Sequence, residues 1–237
     1  MADSHRITVV NDSGPFLELM SELLTEEGHV VTTFDGLQTD VSELVTSRPD
    51  LLIVDLRLTS ASTMYRGWEL IEESRLHPEL TTTPVLVCTG AVEAIRERLG
   101  AIADTPALEV VLKPFDIEEL LGAIDRLLSL PATEREWPPT ATIVHDLETR
   151  ILDVSADAVA YLQYPKEELV GRPATELVRW PPEQTREELQ RALAEGGWHG
   201  IVPIRDRRGT ERRLRVNVRR RRIGVDDLLV TRILIDT

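Results

Sequence analysis

Cysteine is almost absent from this chain of 237 residues, which contains Cys88 alone. A single cysteine excludes an intramolecular disulfide and any zinc site built from several thiolates. Cys88 lies in the apolar run 85–88, so we expect a buried thiol that takes no part in chemistry.

Long hydrophobic runs are also missing. No apolar stretch approaches the roughly 18 to 20 residues that a membrane span needs, and residues 1–5 do not begin a signal peptide. Apolar residues nevertheless make up 42% of the chain, which is enough to form buried cores. We therefore expect a soluble protein of the cytoplasm with one large or two small domains and no membrane contact.

Basic residues are scarce in the first part of the chain. Residues 1–140 contain 25 acidic and 10 basic side chains, whereas residues 141–237 contain 16 acidic and 17 basic ones. This split indicates two domains. The acidity of the first part does not favour binding to nucleic acid.

Short apolar runs alternate with helical patterns in residues 1–130. The runs cover residues 7–10, 30–34, 51–54, 85–88 and 110–112. Strands that alternate with helices predict an α/β domain with a five-stranded parallel sheet and helices on both faces. Asp116 and Glu119 have the spacing of a capping box at the start of the last helix.

A different pattern follows a proline-rich stretch. Residues 131–140 include three prolines without any periodicity and are predicted to be a linker. Residues 141–237 then read as an α+β domain with an antiparallel sheet. Its predicted strands cover 142–145, 151–154, 201–204, 212–218 and 228–235, and its main helix covers 182–195.

Chemically useful side chains follow the strands of the first domain. Asn11 and Asp12 follow the first strand, Asp55 the third, Thr89 the fourth and Lys113 the fifth. Parallel strands end at one edge of the sheet, so these groups are expected to converge. Two carboxylates can hold Mg²⁺. Asp55 would then be the nucleophile for a phosphoryl group, and Thr89 and Lys113 would stabilise its oxygens.

The motifs around these residues resemble the receiver domain of two-component response regulators. They are residues 9–12, 51–55, 88–91 and 112–115. The resemblance implies a flavodoxin-like fold with strand order 2-1-3-4-5, a cis bond before Pro114, and phosphorylation of Asp55 by a histidine kinase or phosphotransfer protein. It also implies Mg²⁺ bound by Asp12, Asp55, the backbone carbonyl of Arg57 and, through water, Asn11.

Three departures from the receiver pattern stand out. Asn11 replaces one of two usual acids, so we expect weaker Mg²⁺ binding. Val110 replaces the usual aromatic switch residue, and residues 59–63 replace a proline turn with a loop expected to be mobile. An alternative is therefore a pseudo-receiver that binds partners without phosphorylation. A hydrolase is the least favoured alternative, because Asp55-Leu56-Arg57 lacks the second Asp of an Asp-x-Asp phosphatase. As a phosphoacceptor, the chain is expected to turn over no substrate.

Residues 141–237 resemble a PAS domain through residues 151–158 and 162–172. The resemblance implies a module that dimerises, senses small ligands or relays a signal, and we expect a homodimer. This domain contains no cysteine for a flavin adduct, and His145 and His199 are not placed as haem ligands, so neither flavin nor haem is expected. A ligand-sensing PAS domain regulated by the receiver is a further alternative.

Ten of the eighteen residues from Arg205 to Arg222 are arginines. Leu214, Val216 and Val218 alternate with polar residues, which favours a strand with one solvated face. Docking to an acidic surface and binding to nucleic acid are the less favoured interpretations. The sequence as a whole predicts a response-regulator-like signalling protein that accepts a phosphoryl group on Asp55 in a phosphorelay and relays the signal through a PAS module.

Overall fold

The computed structural model describes residues 4–36, 38–58, 66–135 and 140–234, which fall into two units. The first unit comprises residues 1–97 with 106–136, and the second comprises residues 98–105 with 137–237. The loop 59–63, expected to be mobile, lies outside the described residues. No described helix has the length and apolar character that crossing a bilayer requires.

The first unit contains a parallel five-stranded sheet in the order β2-β1-β3-β4-β5, which confirms the predicted topology. The strands are β1 (Arg6–Asn11), β2 (Val30–Asp35), β3 (Leu51–Val54), β4 (Val85–Thr89) and β5 (Leu108–Leu112). Every residue of β3 and β4 is buried, as expected for central strands covered on both faces. Burial in β4 raises the pKa of the Cys88 thiol to about 12, in agreement with the unreactive thiol expected there.

Helices cover both faces of this sheet. They are α1 (Gly14–Glu26), α2 (Val41–Ser47), α3 (Arg66–Leu76), α4 (Val92–Glu97), α6 (Ile117–Leu128) and α7 (Ala132–Arg135); α5 (Leu99–Asp104) belongs to the second unit. The core of one face joins the strands to the apolar sides of α1 and α6, which contribute Met20, Leu24, Leu120, Ile124 and Leu127. Amphipathic spacing therefore positions both helices.

One local prediction in this unit was wrong. The Asp116 side chain makes no capping hydrogen bond, and water can solvate both the exposed carboxylate and the first amides of α6. A complete capping box forms instead at Asp40 and Glu43, at the start of α2. The predicted linker contains the helical turn α7, where Arg135 donates to the carbonyl oxygens of Leu128 and Leu130, both at 3.0 Å.

The second unit contains an antiparallel sheet in the order β7-β6-β10-β9-β8. Its strands are β6 (Thr140–His145), β7 (Ile151–Val154), β8 (Gly197–Arg205), β9 (Glu211–Ile223) and β10 (Asp226–Leu234). The last three extend beyond their predicted limits, since Gly224 at φ +62° closes a tight turn and lets Arg219–Ile223 pair with Asp226–Val230. Buried residues alternate with more exposed ones at Val202 and Ile204 of β8 and at Leu214 and Val216 of β9, whereas β10 buries Leu228, Leu229 and Val230 in succession.

Short helices pack on the inner face of this sheet. They are α8 (Ala156–Leu162), α9 (Lys166–Leu169), a 3-10 helix (Ala174–Glu176) and α10 (Pro182–Ala194). Gly196 at φ +71° follows α10, as its predicted end requires. Within the same unit, the amide of Gly100 in α5 donates to Asp153 at 2.7 Å, and Arg232 donates to the carbonyl of Ala103 at 2.7 Å.

Candidate functional site

The carboxyl ends of the parallel strands bring most of the predicted site residues together. Asn11 ends β1, Asp55 follows β3, Thr89 ends β4, and Lys113 follows β5. The peptide bond between Lys113 and Pro114 is cis, which confirms that expectation. The site is therefore assembled from four neighbouring strands, each of which contributes its last residue or the residue that follows it.

Asp55 is the centre of the hydrogen-bond network. Its Oδ2 accepts from Lys113 Nζ at 2.9 Å and from Asn11 Nδ2 at 3.3 Å, and its Oδ1 accepts from the Arg57 amide at 3.0 Å. The Asp55 side chain is 11% exposed and that of Lys113 26%, so the carboxylate is fixed yet reachable from solvent. A fixed carboxylate beside a cation suits attack on an electron-poor centre.

Asn11 holds its amide in one orientation. Its Oδ1 accepts from the Ser13 backbone amide at 2.9 Å, which directs its NH₂ group toward Asp55. The neighbouring Asp12 is half-buried, whereas Asn11 is fully buried. Asn11 thus donates to the Asp55 carboxylate, a contact that an acid at the same position would replace with charge repulsion.

Thr89 and Val110 occupy the part of the sheet formed by β4 and β5. The Thr89 hydroxyl is buried and accepts from the Ala91 amide at 3.2 Å, which fixes the loop that follows β4. Because that contact uses an oxygen lone pair, the hydroxyl hydrogen is left to act as a donor. Val110 is half-buried and pairs with Val87 across the two strands.

Two residues that position the site were not found by sequence reasoning. The Phe16 ring lies 3.8 Å from Lys113 Nζ, in a cation–π contact, and meets Phe115 edge-on at 6.4 Å between ring centroids. A Cβ at Gly67 would lie 1.8 Å from the Asp55 carbonyl oxygen, so α3 can approach the site only with glycine there. The place of Phe16 in the first turn after β1 was the available signal.

The residues at the carboxyl ends of the parallel strands fit a hard divalent cation. Asp12, Asp55 and the Arg57 carbonyl offer oxygen atoms only, and Mg²⁺ prefers such ligands while retaining several waters. Among the residues that the structure describes, no cluster of three or more His, Cys, Asp or Glu side chains suits a metal. A cation at Asp12 and Asp55 would therefore depend on water and a substrate oxygen for the rest of its shell.

A second candidate site is a cavity of about 130 Å³ inside the second unit. It lies between the inner face of the sheet and α10, and its lining is mainly apolar. His145 and Thr231 form a polar pair in this lining, with His145 Nε2 at 2.8 Å from Thr231 Oγ1. Burial lowers the pKa of His145 to about 4, so its imidazole is neutral at pH 7.

The arginine-rich strand β9 has the predicted alternation. Leu214 and Val216 are buried, and Arg213 and Arg215, each of which precedes one of them, are exposed. Several arginines in and before this strand form ion pairs: Arg205 with Glu211, Arg207 with Glu168, Arg212 with Asp206, and Arg220 with Asp227. A solvated face with local acidic partners accounts for these contacts.

Two protein families match the chain. The family described as response regulator receiver domain matches residues 7–125, and the family described as PAS fold matches residues 138–230. Each match covers one of the two domains that the sequence predicts.

Similar proteins cover the first half of the chain. The response regulator ArlR of Staphylococcus aureus (strain Mu50) is 33% identical over 126 residues, 52% of this chain and 52% of that protein. The hybrid signal transduction histidine kinase D of Dictyostelium discoideum is 29% identical over 125 residues, 52% of this chain and 8% of that protein. The chain thus spans about half or less of the length of these relatives.

A solved structure is similar over the same region. It is the receiver domain of the sensor histidine kinase PA1611 from Pseudomonas aeruginosa, described with a magnesium ion coordinated in its active site cleft. The two proteins share 24% identity over 54% of this chain and all of that one, with a TM-score of 0.45.

Proposed function

We propose, from the premise that this chain belongs to the response regulator receiver family and carries a PAS domain after its receiver, that Asp55 accepts a phosphoryl group. The chain is a signal transduction protein. The observation that carries the proposal is the convergence on Asp55 of Lys113, Asn11 and the Arg57 amide at 2.9–3.3 Å.

The proposed step is an in-line displacement at phosphorus. One carboxylate oxygen of Asp55 forms the new P–O bond, and the bond from phosphorus to the donor breaks with its electron pair leaving on the donor. Lys113 is positioned to neutralise charge on the phosphoryl oxygens, with its ammonium held by the Phe16 ring. Thr89 is positioned on β4 to donate its hydroxyl hydrogen to the same oxygens.

The proposed cofactor is Mg²⁺, held by Asp12, Asp55 and the Arg57 carbonyl. When bound, it would supply positive charge that offsets the negative charge gathered by the carboxylates and the phosphoryl group. Asn11 would act chiefly through its hydrogen bond to Asp55, with a bridging water toward the cation as its second role.

The proposed phosphodonor is a histidine kinase or a phosphotransfer protein, and we expect the chain to take up the group without turning over a substrate. Its proposed location is the cytoplasm. The PAS domain is proposed to form a homodimer and to sense a small molecule; the cavity next to His145 and Thr231 supports the sensing role. The ion-paired arginines of the second unit do not favour nucleic acid as a partner.

Acetyl phosphate tests the proposal on the full chain. Intact mass spectrometry should detect one added phosphoryl group when Mg²⁺ is present and much less in EDTA. Asp55→Asn should abolish the gain, while Asp35→Asn, which removes a different strand-end carboxylate, should leave it unchanged. A pseudo-receiver would show no gain in any of these proteins, and that result would overturn the proposal.

A further inference from the structure

The cavity of the second unit combines a mainly apolar lining with a few polar side chains, among which His145 and Thr231 form a hydrogen-bonded pair. His145 is 4% exposed, at the end of β6, and Thr231 lies next to it on β10. Isoleucine and valine side chains of the same inner face surround them, among them Ile143 and Ile233. Such a lining takes up apolar molecules readily and charged ones poorly.

The hydrogen bonds of His145 determine whether the polar pair offers a hydrogen-bond donor or an acceptor to a molecule in the cavity. Its Nδ1 lies 3.4 Å from the Asp146 carbonyl oxygen, which can only accept, so the ring hydrogen belongs on Nδ1. Nε2 is then an acceptor and takes the hydroxyl hydrogen of Thr231 at 2.8 Å. The Thr231 oxygen consequently has lone pairs but no hydrogen to share, so it can accept a hydrogen bond from a donor in the cavity but cannot donate one.

The size of the cavity and its aromatic and acidic lining residues restrict its occupant further. A cavity of about 130 Å³ is close to the roughly 150 Å³ that accommodates benzene, so it suits a single ring. The half-buried Trp180 and Trp198 meet edge-on at 5.5 Å in its lining and offer aromatic faces and edges to such a ring. Glu188 also lines the cavity and disfavours anions, while its own charge is paired with Arg191 at 2.9 Å.

We infer that the PAS cavity binds an uncharged single-ring molecule that donates one O–H or N–H hydrogen bond to Thr231. This inference rests on the proposed sensing role of the PAS domain and specifies its ligand class. A phenol satisfies each requirement, because its ring fills the apolar space and its hydroxyl reaches the Thr231 oxygen. Benzene lacks the donor, and benzoate brings a negative charge toward Glu188 and into an apolar lining.

Phenol, benzene and benzoate are the probes for a binding test on the full chain. Shifts of the indole N–H signals of Trp180 and Trp198 report occupancy in NMR titrations. We expect phenol to bind roughly two to ten times more tightly than benzene, as one net hydrogen bond allows. Benzoate should not bind. Equal affinity for phenol and benzene, or tighter binding of benzoate, would overturn the inference.

Two variants distinguish the contribution of the hydrogen bond to phenol affinity from that of the cavity volume. Thr231→Val retains the shape of the side chain and should reduce phenol affinity to the level of benzene, whereas Thr210→Val, in an exposed turn, should change nothing. Leu189→Trp, which fills the cavity from α10, should abolish binding of both molecules. Phenol binding that survives both Thr231→Val and Leu189→Trp would contradict the assignment.

Phosphorylation provides the independent readout. The same preparations should be treated with acetyl phosphate and Mg²⁺, and their gain in mass measured. Failure of phenol binding with a normal gain in mass overturns the ligand class alone. Loss of the gain with normal phenol binding overturns the phosphoryl acceptor alone, so the two proposals fail in distinguishable ways.

Discussion

Asn11→Asp tests how much the Asn11 amide stabilises the site next to the Asp55 carboxylate in the absence of metal. The substitution replaces an amide donor 3.3 Å from Asp55 Oδ2 with a second carboxylate at about the same separation. Two like charges about 4 Å apart interact by about 4 kcal/mol at an effective dielectric constant near 20. Rotation of the new side chain and entry of water relieve part of this repulsion, so we expect a loss of about 2 kcal/mol in unfolding free energy in EDTA.

Bound Mg²⁺ should reverse the penalty, because a divalent cation next to both carboxylates removes their repulsion. A recovery of about 2 kcal/mol corresponds to roughly 30-fold tighter Mg²⁺ binding than in the wild type. Scanning calorimetry across an Mg²⁺ series measures both quantities, through the unfolding transition that the cation shifts. Asn217→Asp in β9 makes the same charge change in the other unit and should leave the Mg²⁺ dependence unaltered. An Asn11→Asp variant as stable as the wild type in EDTA, with unchanged Mg²⁺ affinity, would refute this account of the site.

Three further predictions concern Gly67, His145 and the oligomeric state of the chain. Gly67→Ala should slow phosphoryl uptake roughly 100-fold, because its Cβ would displace Asp55. The control Gly122→Ala in α6 should have normal kinetics. Normal kinetics in Gly67→Ala as well would contradict the importance of the close approach between residue 67 and Asp55. Because the pKa of His145 is lowered to about 4 in the fold, the unfolded chain takes up the proton first, and about 3 kcal/mol of stability should be lost between pH 6.5 and 4. Urea unfolding should show a smaller loss in His145→Gln but not in the exposed-site control His199→Gln; equal losses in both would contradict it. Sedimentation of the full chain should detect a homodimer at micromolar concentration, and a monomer at high concentration would exclude it.

The parallel sheet and the convergence of side chains at its carboxyl edge were predictable from the alternation of apolar runs and helices, whereas the strand order was implied by the resemblance to receiver domains. Asp55, Lys113 and Asn11 meet because the carboxyl ends of parallel strands lie at one edge of the sheet. The direction of the Asn11 amide was not predictable, since it depends on the Ser13 amide and hence on the turn into α1. The cation–π contact of Phe16 likewise depends on how α1 lies across the rim.

Helix capping in the first unit and burial in the second unit show the same limit. Asp40 and Asp116 both precede a helix with glutamate three residues later, yet only Asp40 forms the box. The spacing permits a cap, but the side-chain rotamer and competition from water decide whether it forms. His145 was predicted as the last residue of the strand 142–145, and it does end β6, but its burial beside Thr231 depends on the pairing of β6 with β10.

The identity of the phosphorylated residue is the most direct test of the central claim. The full chain treated with acetyl phosphate and Mg²⁺ can be reduced with borohydride, which converts an aspartyl phosphate to homoserine, and then digested for peptide mass mapping. The account predicts homoserine at position 55 and at no other aspartate. Conversion at Asp12 or elsewhere with Asp55 intact would contradict it.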